Sequence, residues 1–225
     1  MPKGLTGNQL KLIAMVTMTI DHIGELLFPQ LLWLRFVGRL AMPIYAFFIA
    51  EGCRHTRSMP KYLGSVAVVA LLCQAVTLLF GSLYQCILVT FSMSIGLILL
   101  LQKAKSAKSP VWWWLLFGIA VAAVWFLTQT LPELLPDTDY GVDYDFLGVM
   151  LPVAVWLMPT KPAQLMAAAG VLLLMGSYNW VQLFALGAVV LLALYNGQRG
   201  KHNLKPLFYW YYPAHLGILH LMAML

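Results

Sequence analysis

Apolar runs of about 20 residues recur along the 225-residue chain, and they constrain its fold more than any other feature. A helix of that length crosses the roughly 30 Å hydrocarbon core of a bilayer. Only 10% of the residues are charged and 61% are hydrophobic, whereas a soluble domain carries about 25% charged residues. The sequence therefore predicts an all-α, polytopic helical membrane protein that is surrounded by a lipid bilayer.

Turn signals such as Phe28-Pro29 and Asn196-Gly197 divide one predicted domain, residues 1–225, into about nine transmembrane helices. The predicted crossings are residues 9–28, 31–52, 61–81, 83–102, 111–131, 146–160, 163–177, 181–195 and 206–225. Segments 163–177 and 181–195 are short, about 22 Å each at 1.5 Å per residue. Seven crossings and a re-entrant hairpin are therefore the alternative.

The basic residues predict the orientation of these crossings. Of the fourteen Lys and Arg residues, all but Arg35 and Arg39 fall on one side, and cytoplasmic loops are the ones enriched in Lys and Arg. Five of the eight acids lie in one loop on the other side: Glu133, Asp137, Asp139, Asp143 and Asp145. We expect a multi-pass protein of the inner (cytoplasmic) membrane, with its N-terminus cytoplasmic and no signal segment to be removed.

The clustering of Lys and Arg on the predicted cytoplasmic side also accounts for the formal charge of +6, so no nucleic-acid partner is expected. The three cysteines, Cys53, Cys73 and Cys86, lack metal-ligand spacing. We interpret them as small hydrophobic residues and predict no metal site.

Ionisable residues inside the first two crossings form the most informative constellation. Asp21 and Glu25 share one face of the first helix at i,i+4, and Arg35 and Arg39 do so on the second. A tight antiparallel hairpin would place Glu25 level with Arg35, and Asp21 level with Arg39. Charges at membrane depth usually pair or border a polar cavity, so the set is either a structural ion ladder or part of a site.

His22 lies about 100° round the helix from Asp21, so the two side chains do not face each other. Asp21 is then available to Arg39, while the imidazole points elsewhere. A lone histidine in an apolar helix is commonly a packing residue, but the surrounding charges favour a general base. Pro43 is expected to kink the second helix at the carbonyl of Arg39.

Further candidates lie in other segments. His215 follows Pro213, which is expected to disrupt the last helix, and Tyr212 shares its face. Glu51 near the cytoplasmic surface is interpreted as a solvated or basic-paired cap, or as a functional acid. The acidic loop that holds Asp139, Tyr140 and Asp143 is a solvated turn or a region that attracts a cationic amine; it lacks the ligands of a calcium loop.

Four blocks of this sequence, in order, resemble the TraX family, membrane proteins linked to N-terminal acetylation of conjugative pilin. The blocks are residues 11–24, residues 38–47 with 51–52, residues 139–141 and residues 208–216. The resemblance implies a multi-helix membrane acyltransferase that takes an acetyl group from cytoplasmic acetyl-CoA. The functional positions it implies are Asp21, His22, Arg39, Glu51, Asp139, Tyr212 and His215. It leaves the acceptor open.

The resulting hypothesis is an acetyl-CoA-dependent transfer to an amine or hydroxyl of a pilin, another peptide or a glycan. His22 would deprotonate the acceptor, His215 or Tyr212 would stabilise the oxyanion, and Asp21 with Arg39 would order the pocket. Phosphates of acetyl-CoA would meet basic residues that topology also explains: Arg54, Arg57, Lys61, Lys201 and Lys205. The predicted substrate-binding residues are Glu25, Arg35, Glu51, Asp139, Tyr140 and Asp143.

Direct transfer and an acetyl-histidine intermediate both fit this hypothesis. Two rival functions also remain. Intramembrane Asp, His and Arg residues build proton relays in ion-coupled transporters, although the sequence has neither the inverted repeat nor the paired broken helices typical of such proteins. A non-catalytic assembly subunit would use the charges only to fix helix packing.

Overall fold

The computed structural model describes residues 4–106 and 111–224, and these residues fold into helices without any β-strand. Helices α1 to α11 are Gly7–Leu26, Leu32–Gly38, Ala41–His55, Met59–Leu79, Ile87–Ser106, Val111–Trp125, Leu131–Leu134, Asp145–Leu157, Lys161–Tyr178, Gly187–Ala193 and Lys205–Ala223. A π-helical turn, Phe126–Thr130, joins α6 to α7, and a 3₁₀ helix, Trp180–Leu186, precedes α10. The predicted all-α class is confirmed.

Each of the predicted crossings coincides with helix over most of its length in the described residues. Within residues 4–106 and 111–224, four helical spans are long and apolar enough to cross a membrane: Leu32–His55, Met59–Leu79, Ile87–Ser106 and Val111–Leu134. The chain is thus a helical membrane protein. Its number of crossings and the side of its N-terminus stay predictions.

The chain forms two compact units. The first comprises Met1–Phe48 and Met158–Leu225, and the second comprises Ile49–Leu157. The single functional domain expected over residues 1–225 stays a prediction.

Two prolines inside predicted crossings have different effects on the first unit. The helix breaks between α2 and α3 at residues 39–40, which confirms the kink expected from Pro43, because proline removes a backbone donor and clashes with the carbonyl four residues earlier. By contrast, α11 continues without interruption through Pro213. The predicted disruption of the last helix before His215 is therefore wrong.

One end of the first unit gathers the starts of α1 and α9 and the end of α10. The N–H of Leu5 donates to the carbonyl of Leu194 at 2.8 Å. Lys161 Nζ donates to the carbonyls of Ala193 and Tyr195 at 2.7 and 2.6 Å, where a cation complements the carbonyl end of a helix. The stretch 161–195 therefore leaves this end and returns to it, as both topological alternatives require.

The second unit is built around α5, which packs against α4, α6 and α8. Its buried core includes Ile95 and Ile98, both with no exposed surface. At one end of these helices, the loop 137–145 pairs with segment 82–86 through backbone hydrogen bonds of Gln85 to Gly141 and Asp143. The basic residues Arg54, Arg57, Lys61, Lys103 and Lys105 belong to the opposite helix ends. Lys3 and Lys108, also used to predict orientation, lie outside the described residues.

Candidate active site

The predicted ion ladder is present between α1 and α2. Arg39 Nη2 donates to both carboxylate oxygens of Asp21, at 2.8 and 2.6 Å, and Arg35 Nη1 donates to Glu25 Oε2 at 2.8 Å. Arg35 Nη1 also lies 3.3 Å from Asp21 Oδ2. Both depth-matched pairs are therefore confirmed. Asp21 and Arg39 are buried, whereas the side chain of Glu25 is 51% exposed, so the inner pair is shielded from water and the outer pair is not.

Two glycines allow the ladder helices to approach closely. A Cβ added at Gly38 would overlap the carboxylate of Asp21, and one added at Gly24 would lie 2.7 Å from the Cβ of Leu34. Small residues at helix contacts let backbones come together in membranes. Gly38 therefore makes room for the acid that its neighbour Arg39 binds, a role that the residue pattern does not indicate.

His22 pairs with His215 across the contact of α1 with α11. Nδ1 of His22 lies 2.9 Å from Nε2 of His215, and the two ring centroids are 5.0 Å apart. Nδ1 of His215 lies 3.0 Å from the carbonyl oxygen of Tyr211. The structure therefore brings together the two histidines predicted separately, and it directs His22 away from Asp21 as expected.

The carbonyl of Tyr211 fixes the direction of hydrogen bonding in this pair. A carbonyl oxygen only accepts, so Nδ1–H of His215 is the donor, and its Nε2 must accept when the ring is neutral. Nδ1–H of His22 then donates to that Nε2. The remaining nitrogen of His22, Nε2, carries a lone pair, and no described residue hydrogen-bonds to it. The pair thus orients one imidazole as a proton acceptor.

Aromatic rings surround the histidine pair. Tyr211 stacks on His215 with centroids 5.0 Å apart, and Tyr212 meets both imidazoles edge-on, at 6.2 Å from His22 and 5.2 Å from His215. The Thr19 hydroxyl donates to the carbonyl of Met15 at 2.9 Å. Because that hydroxyl has a single hydrogen, the 2.6 Å contact between Thr19 and Tyr211 is a bond that the Tyr211 hydroxyl donates.

The contact of α1 with α11 continues toward the basic end of the first unit. Lys11 precedes His22 by eleven residues, about three helical turns and 16 Å, so both lie on one face of α1. Its ammonium lies over the rings of Phe48 and Phe208, 4.8 and 5.9 Å from their centroids. Among the described residues no carboxylate lies within ion-pair distance of Lys11. In the sequence, Lys11 indicates topology only, and its eleven-residue spacing from His22 is the signal that relates it to the site.

The acid and bases predicted near the cytoplasmic surface belong to the second unit, apart from Lys201 and Lys205. Glu51 accepts from Arg54 at 2.9 Å and lies 3.4 Å from His55, which confirms the basic-paired cap. Arg54 also donates to the carbonyls of Val155 and Trp156, at 2.7 and 2.9 Å, and so caps the end of α8. These contacts give both side chains a structural role.

Of the other predicted phosphate ligands, the three whose side chains the structure describes show no such contacts. Arg57, Lys61 and Lys201 are exposed. Lys205 begins α11, but its side chain lies outside the described part of the chain. Binding of acetyl-CoA by any of these residues stays a prediction.

The acidic loop is ordered by its own side chains. Asp139 accepts from the Ser82 hydroxyl at 2.5 Å and from the N–H of Leu83 at 2.9 Å, and Asp143 accepts from the Tyr84 hydroxyl at 3.3 Å. The Tyr140 hydroxyl donates to the carbonyl of Leu127 in the π-helical turn at 3.3 Å. All three predicted substrate-binding residues of this loop therefore hold it in place. Among the described residues, no three His, Cys, Asp or Glu side chains gather as metal ligands would.

Known proteins similar to this chain point to one family. The profile of the TraX protein matches residues 6–223. A probable fimbrial assembly protein FimC, serogroup H1, of Dichelobacter nodosus is 28% identical over 245 residues, covering 94% of this chain and 93% of that protein. An uncharacterized protein of Rickettsia prowazekii (strain Madrid E) is 54% identical over 39 residues, which cover 17% of this chain and 16% of that protein. No solved structure matches the chain. With the family profile matched along nearly its whole length, this chain belongs to the TraX family.

Proposed function

We propose that this protein is a pilus-related acetyltransferase of the inner membrane, which moves an acetyl group from acetyl-CoA to an amine or hydroxyl. The observation that carries the proposal is the His22–His215 pair, in which Nε2 of His22 is a hydrogen-bond acceptor without a described donor. Membership in the TraX family supports the reaction class. The name of the Dichelobacter nodosus relative, a probable fimbrial assembly protein, supports a pilus-related acceptor.

In the proposed step, Nε2 of His22 takes a proton from the acceptor amine or hydroxyl as its nitrogen or oxygen attacks the thioester carbonyl. A new C–N or C–O bond forms, the C–S bond breaks, and the departing CoA thiolate takes up the proton from His22. His215 serves as a positioning residue, because its hydrogen bonds to Tyr211 and His22 hold the second imidazole in the required tautomer. Transfer is direct in this mechanism, since the proton acceptor need not carry the acetyl group.

The oxyanion of the tetrahedral intermediate requires a hydrogen-bond donor. Tyr212, which meets both imidazoles edge-on, is the donor we propose. Asp21 and Arg39 fix α1 against α2 and so set the depth of His22 in the membrane.

For the acyl donor we propose a cytoplasmic approach at the basic end of the first unit. Lys11 and His22 lie on one face of α1 about 16 Å apart, a separation that an extended pantetheine arm spans. The ammonium of Lys11 faces aromatic rings. The N–H of Asn8, three residues earlier, donates to the carbonyl of Arg199 at 2.9 Å, which places Arg199 beside the start of α1. Two cations without a carboxylate between them suit the phosphates of acetyl-CoA, with the exposed Lys201 nearby in sequence to Arg199.

The proposal is tested with purified protein and labelled acetyl-CoA. Candidate acceptors are a pilin N-terminal peptide, a peptide blocked at its N-terminus, and a glycan, and the readout is acceptor-dependent release of CoA. We expect His22→Ala to lower turnover by about 10²–10⁴-fold, the usual contribution of a general base. His220→Ala is the control, because His220, like His215, lies on α11 and its Nδ1 bonds the carbonyl four residues earlier, at 2.9 Å. Full turnover by His22→Ala would remove His22 from the chemistry.

A non-catalytic role in pilus assembly is the second candidate, favoured by the ion ladder and by the name of the Dichelobacter nodosus relative. In that case the wild-type protein would release no CoA with any acceptor, while Arg39→Met would still abolish assembly of surface pili in cells. The two functions are separated by His22→Ala, which preserves the ladder. A scaffold would retain pili with this variant, whereas an enzyme whose product is needed for assembly would lose them.

A further inference from the structure

One tyrosine hydroxyl of the first unit lacks a hydrogen-bond partner among the described residues. Tyr45, on α3, is half-buried, and no described residue bonds to its hydroxyl. Hydroxyls on α1 and α11, by contrast, are paired: Thr17 donates to the carbonyl of Ile13 at 3.0 Å, and Tyr211 donates to Thr19 at 2.6 Å. A polar group withdrawn from water without a hydrogen bond costs free energy, so this hydroxyl is suited to binding a ligand.

Two contacts fix the level of Tyr45 relative to α1. Arg39, at the end of α2, donates to Asp21, and the Phe48 ring on α3 has the Lys11 ammonium 4.8 Å from its centroid. The chain from Arg39 to Phe48 therefore runs antiparallel to α1, and Tyr45 is level with the stretch between Lys11 and Asp21. Side chains of a helix lean toward its N-terminus, so the Tyr45 hydroxyl is displaced toward the level of Asp21.

The aromatic contacts of α3 show which way Tyr45 points. Phe47 and Phe48 both contact Tyr195, just after α10, with ring centroids 6.0 and 5.3 Å apart. The end of α10 therefore lies on the side of α3 between these two phenylalanines. At about 100° per residue, Tyr45 lies about 60° from Phe48, on the side away from Phe47. Its side chain is thus directed away from Tyr195 and the end of α10.

The same side of α3 is turned toward α11. On α1, Asp21 faces α2, whereas His22, about 100° further round, faces α11. Since α3 runs antiparallel to α1, the corresponding turn on α3 leads from Phe48 to Tyr45. Lys11 lies in the same gap, because its ammonium contacts one ring on α3 and one on α11. The Tyr45 hydroxyl is therefore directed toward the path from Lys11 to His22.

We propose that Tyr45 binds the acyl donor, its hydroxyl donating a hydrogen bond to an amide carbonyl of the pantetheine arm. This inference rests on the proposed function, in which the arm spans the distance of about 16 Å between Lys11 and His22. The arm is uncharged and carries its amide groups between the phosphates and the thioester. A neutral hydroxyl at an intermediate level therefore matches it, as the cations at the basic end match the phosphates.

The test compares three acetyl donors on the purified full chain, with the acceptor that gives the fastest release of thiol. Tyr45→Phe keeps the ring and removes only the hydroxyl. Loss of one neutral hydrogen bond to the arm should raise the KM for acetyl-CoA about 2- to 12-fold and leave kcat nearly unchanged. Acetyl-pantetheine, which has the arm without the nucleotide, should show the same increase. S-acetyl-mercaptoethanol, a thioester without amides, should react with equal kcat/KM in both proteins.

Tyr178→Phe is the matched control. Tyr178 also belongs to the first unit, and no described residue bonds to its hydroxyl, but it is 86% exposed at the end of α9. Its KM for acetyl-CoA should equal that of the wild type. An unchanged KM in Tyr45→Phe would overturn the proposal, and so would an equal loss with S-acetyl-mercaptoethanol, since the hydroxyl would then not act on the arm. A wild type that releases no thiol from any donor would instead contradict the proposed function, and the role of Tyr45 with it.

Discussion

The two units use their charged side chains in different ways. In the second unit, Arg54 is occupied by Glu51 and by two carbonyls at the end of α8, and Asp139 by Ser82 and Leu83. In the first unit, the buried pair of Asp21 and Arg39 is equally well satisfied, but the adjacent histidine pair is not, since Nε2 of His22 accepts from no described donor.

This difference separates structural charges from a candidate site. A polar group whose hydrogen bonds are filled by its own chain must break them to bind a substrate, and breaking them costs free energy. Glu51, Asp139 and Asp143 meet this description, so substrate binding by these residues stays a prediction that the observed contacts do not favour. A group that can still accept a hydrogen bond, such as Nε2 of His22, can bind or deprotonate a substrate without this cost.

The largest expected effect comes from breaking the inner pair of the ladder. Arg39→Met leaves the buried carboxylate of Asp21 with only the weaker contact to Arg35, at 3.3 Å, and removal of one partner of a buried pair costs about 3–5 kcal/mol. Thermal unfolding of the detergent-purified protein measures it. In the second unit, the matched Glu51→Gln change should cost about 1 kcal/mol or less, because that pair is partly exposed.

The charge-reversed double variant sharpens this result. Asp21→Arg combined with Arg39→Asp should recover stability relative to either single change, since the opposite charges still face each other. If the double variant unfolds at no higher temperature than the single variants, the ion pair of Asp21 and Arg39 contributes nothing to folding. The charged pairs of the two units would then not differ in their contribution to stability.

The next effect concerns orientation of the proton acceptor. His215→Ala removes the group that accepts from Nδ1 of His22, and misplacement of a catalytic group costs about 10²-fold in turnover. We expect kcat to fall while the KM for acetyl-CoA changes little. His215→Gln supplies a new acceptor oxygen and should recover part of the loss. Equal activity of the Gln and Ala variants would contradict a positioning role.

A smaller effect is expected from the close approach at Gly38. A Cβ in Gly38→Ala would overlap the Asp21 carboxylate, and overpacking of this kind costs about 1–3 kcal/mol. The control is Gly96→Ala on α5, where a Cβ would meet nothing within 4 Å and alanine is favoured over glycine in a helix by about 1 kcal/mol. Similar unfolding temperatures for both variants would show that the ladder tolerates a wider helix spacing.

The features of this structure that can be predicted from the sequence are local ones. Apolar run lengths located the helices, and counting residues from a short connection placed Asp21 level with Arg39, because an antiparallel hairpin fixes depth along both of its helices. The effect of Pro43 followed from backbone chemistry in the same way. Pro213, by contrast with Pro43, does not interrupt its helix, because α11 continues through it without a break.

The remaining features depend on contacts between distant segments. His22 and His215 are 193 residues apart, and no periodicity within either helix indicates that they meet. In the sequence, nothing distinguishes Gly38 from other glycines in apolar runs. Its role follows from the carboxylate of Asp21, which a Cβ at this position would overlap. The hydrogen bond from the N–H of Cys86 to Gln74 likewise depends on how segment 82–86 folds back onto α4, which composition does not report.

The smallest expected effect tests whether the acids of the second unit are structural. Hydrogen bonds from Ser82 and Leu83 lower the pKa of Asp139 below its ordinary value of 3.8. A lowered folded-state pKa means that these bonds stabilise the protein above that ordinary value, and that the contribution is lost as the pH falls through the folded-state pKa. Asp139→Ala should therefore lower the unfolding temperature slightly at pH 7, and the difference from wild type should vanish in strong acid. Asp137→Ala, which removes an exposed acid of the same loop, should leave the unfolding temperature unchanged at both pH values. A difference for Asp139→Ala that persists unchanged in acid would show that its carboxylate does not hold the loop, and Asp139 would again be open to a role in binding.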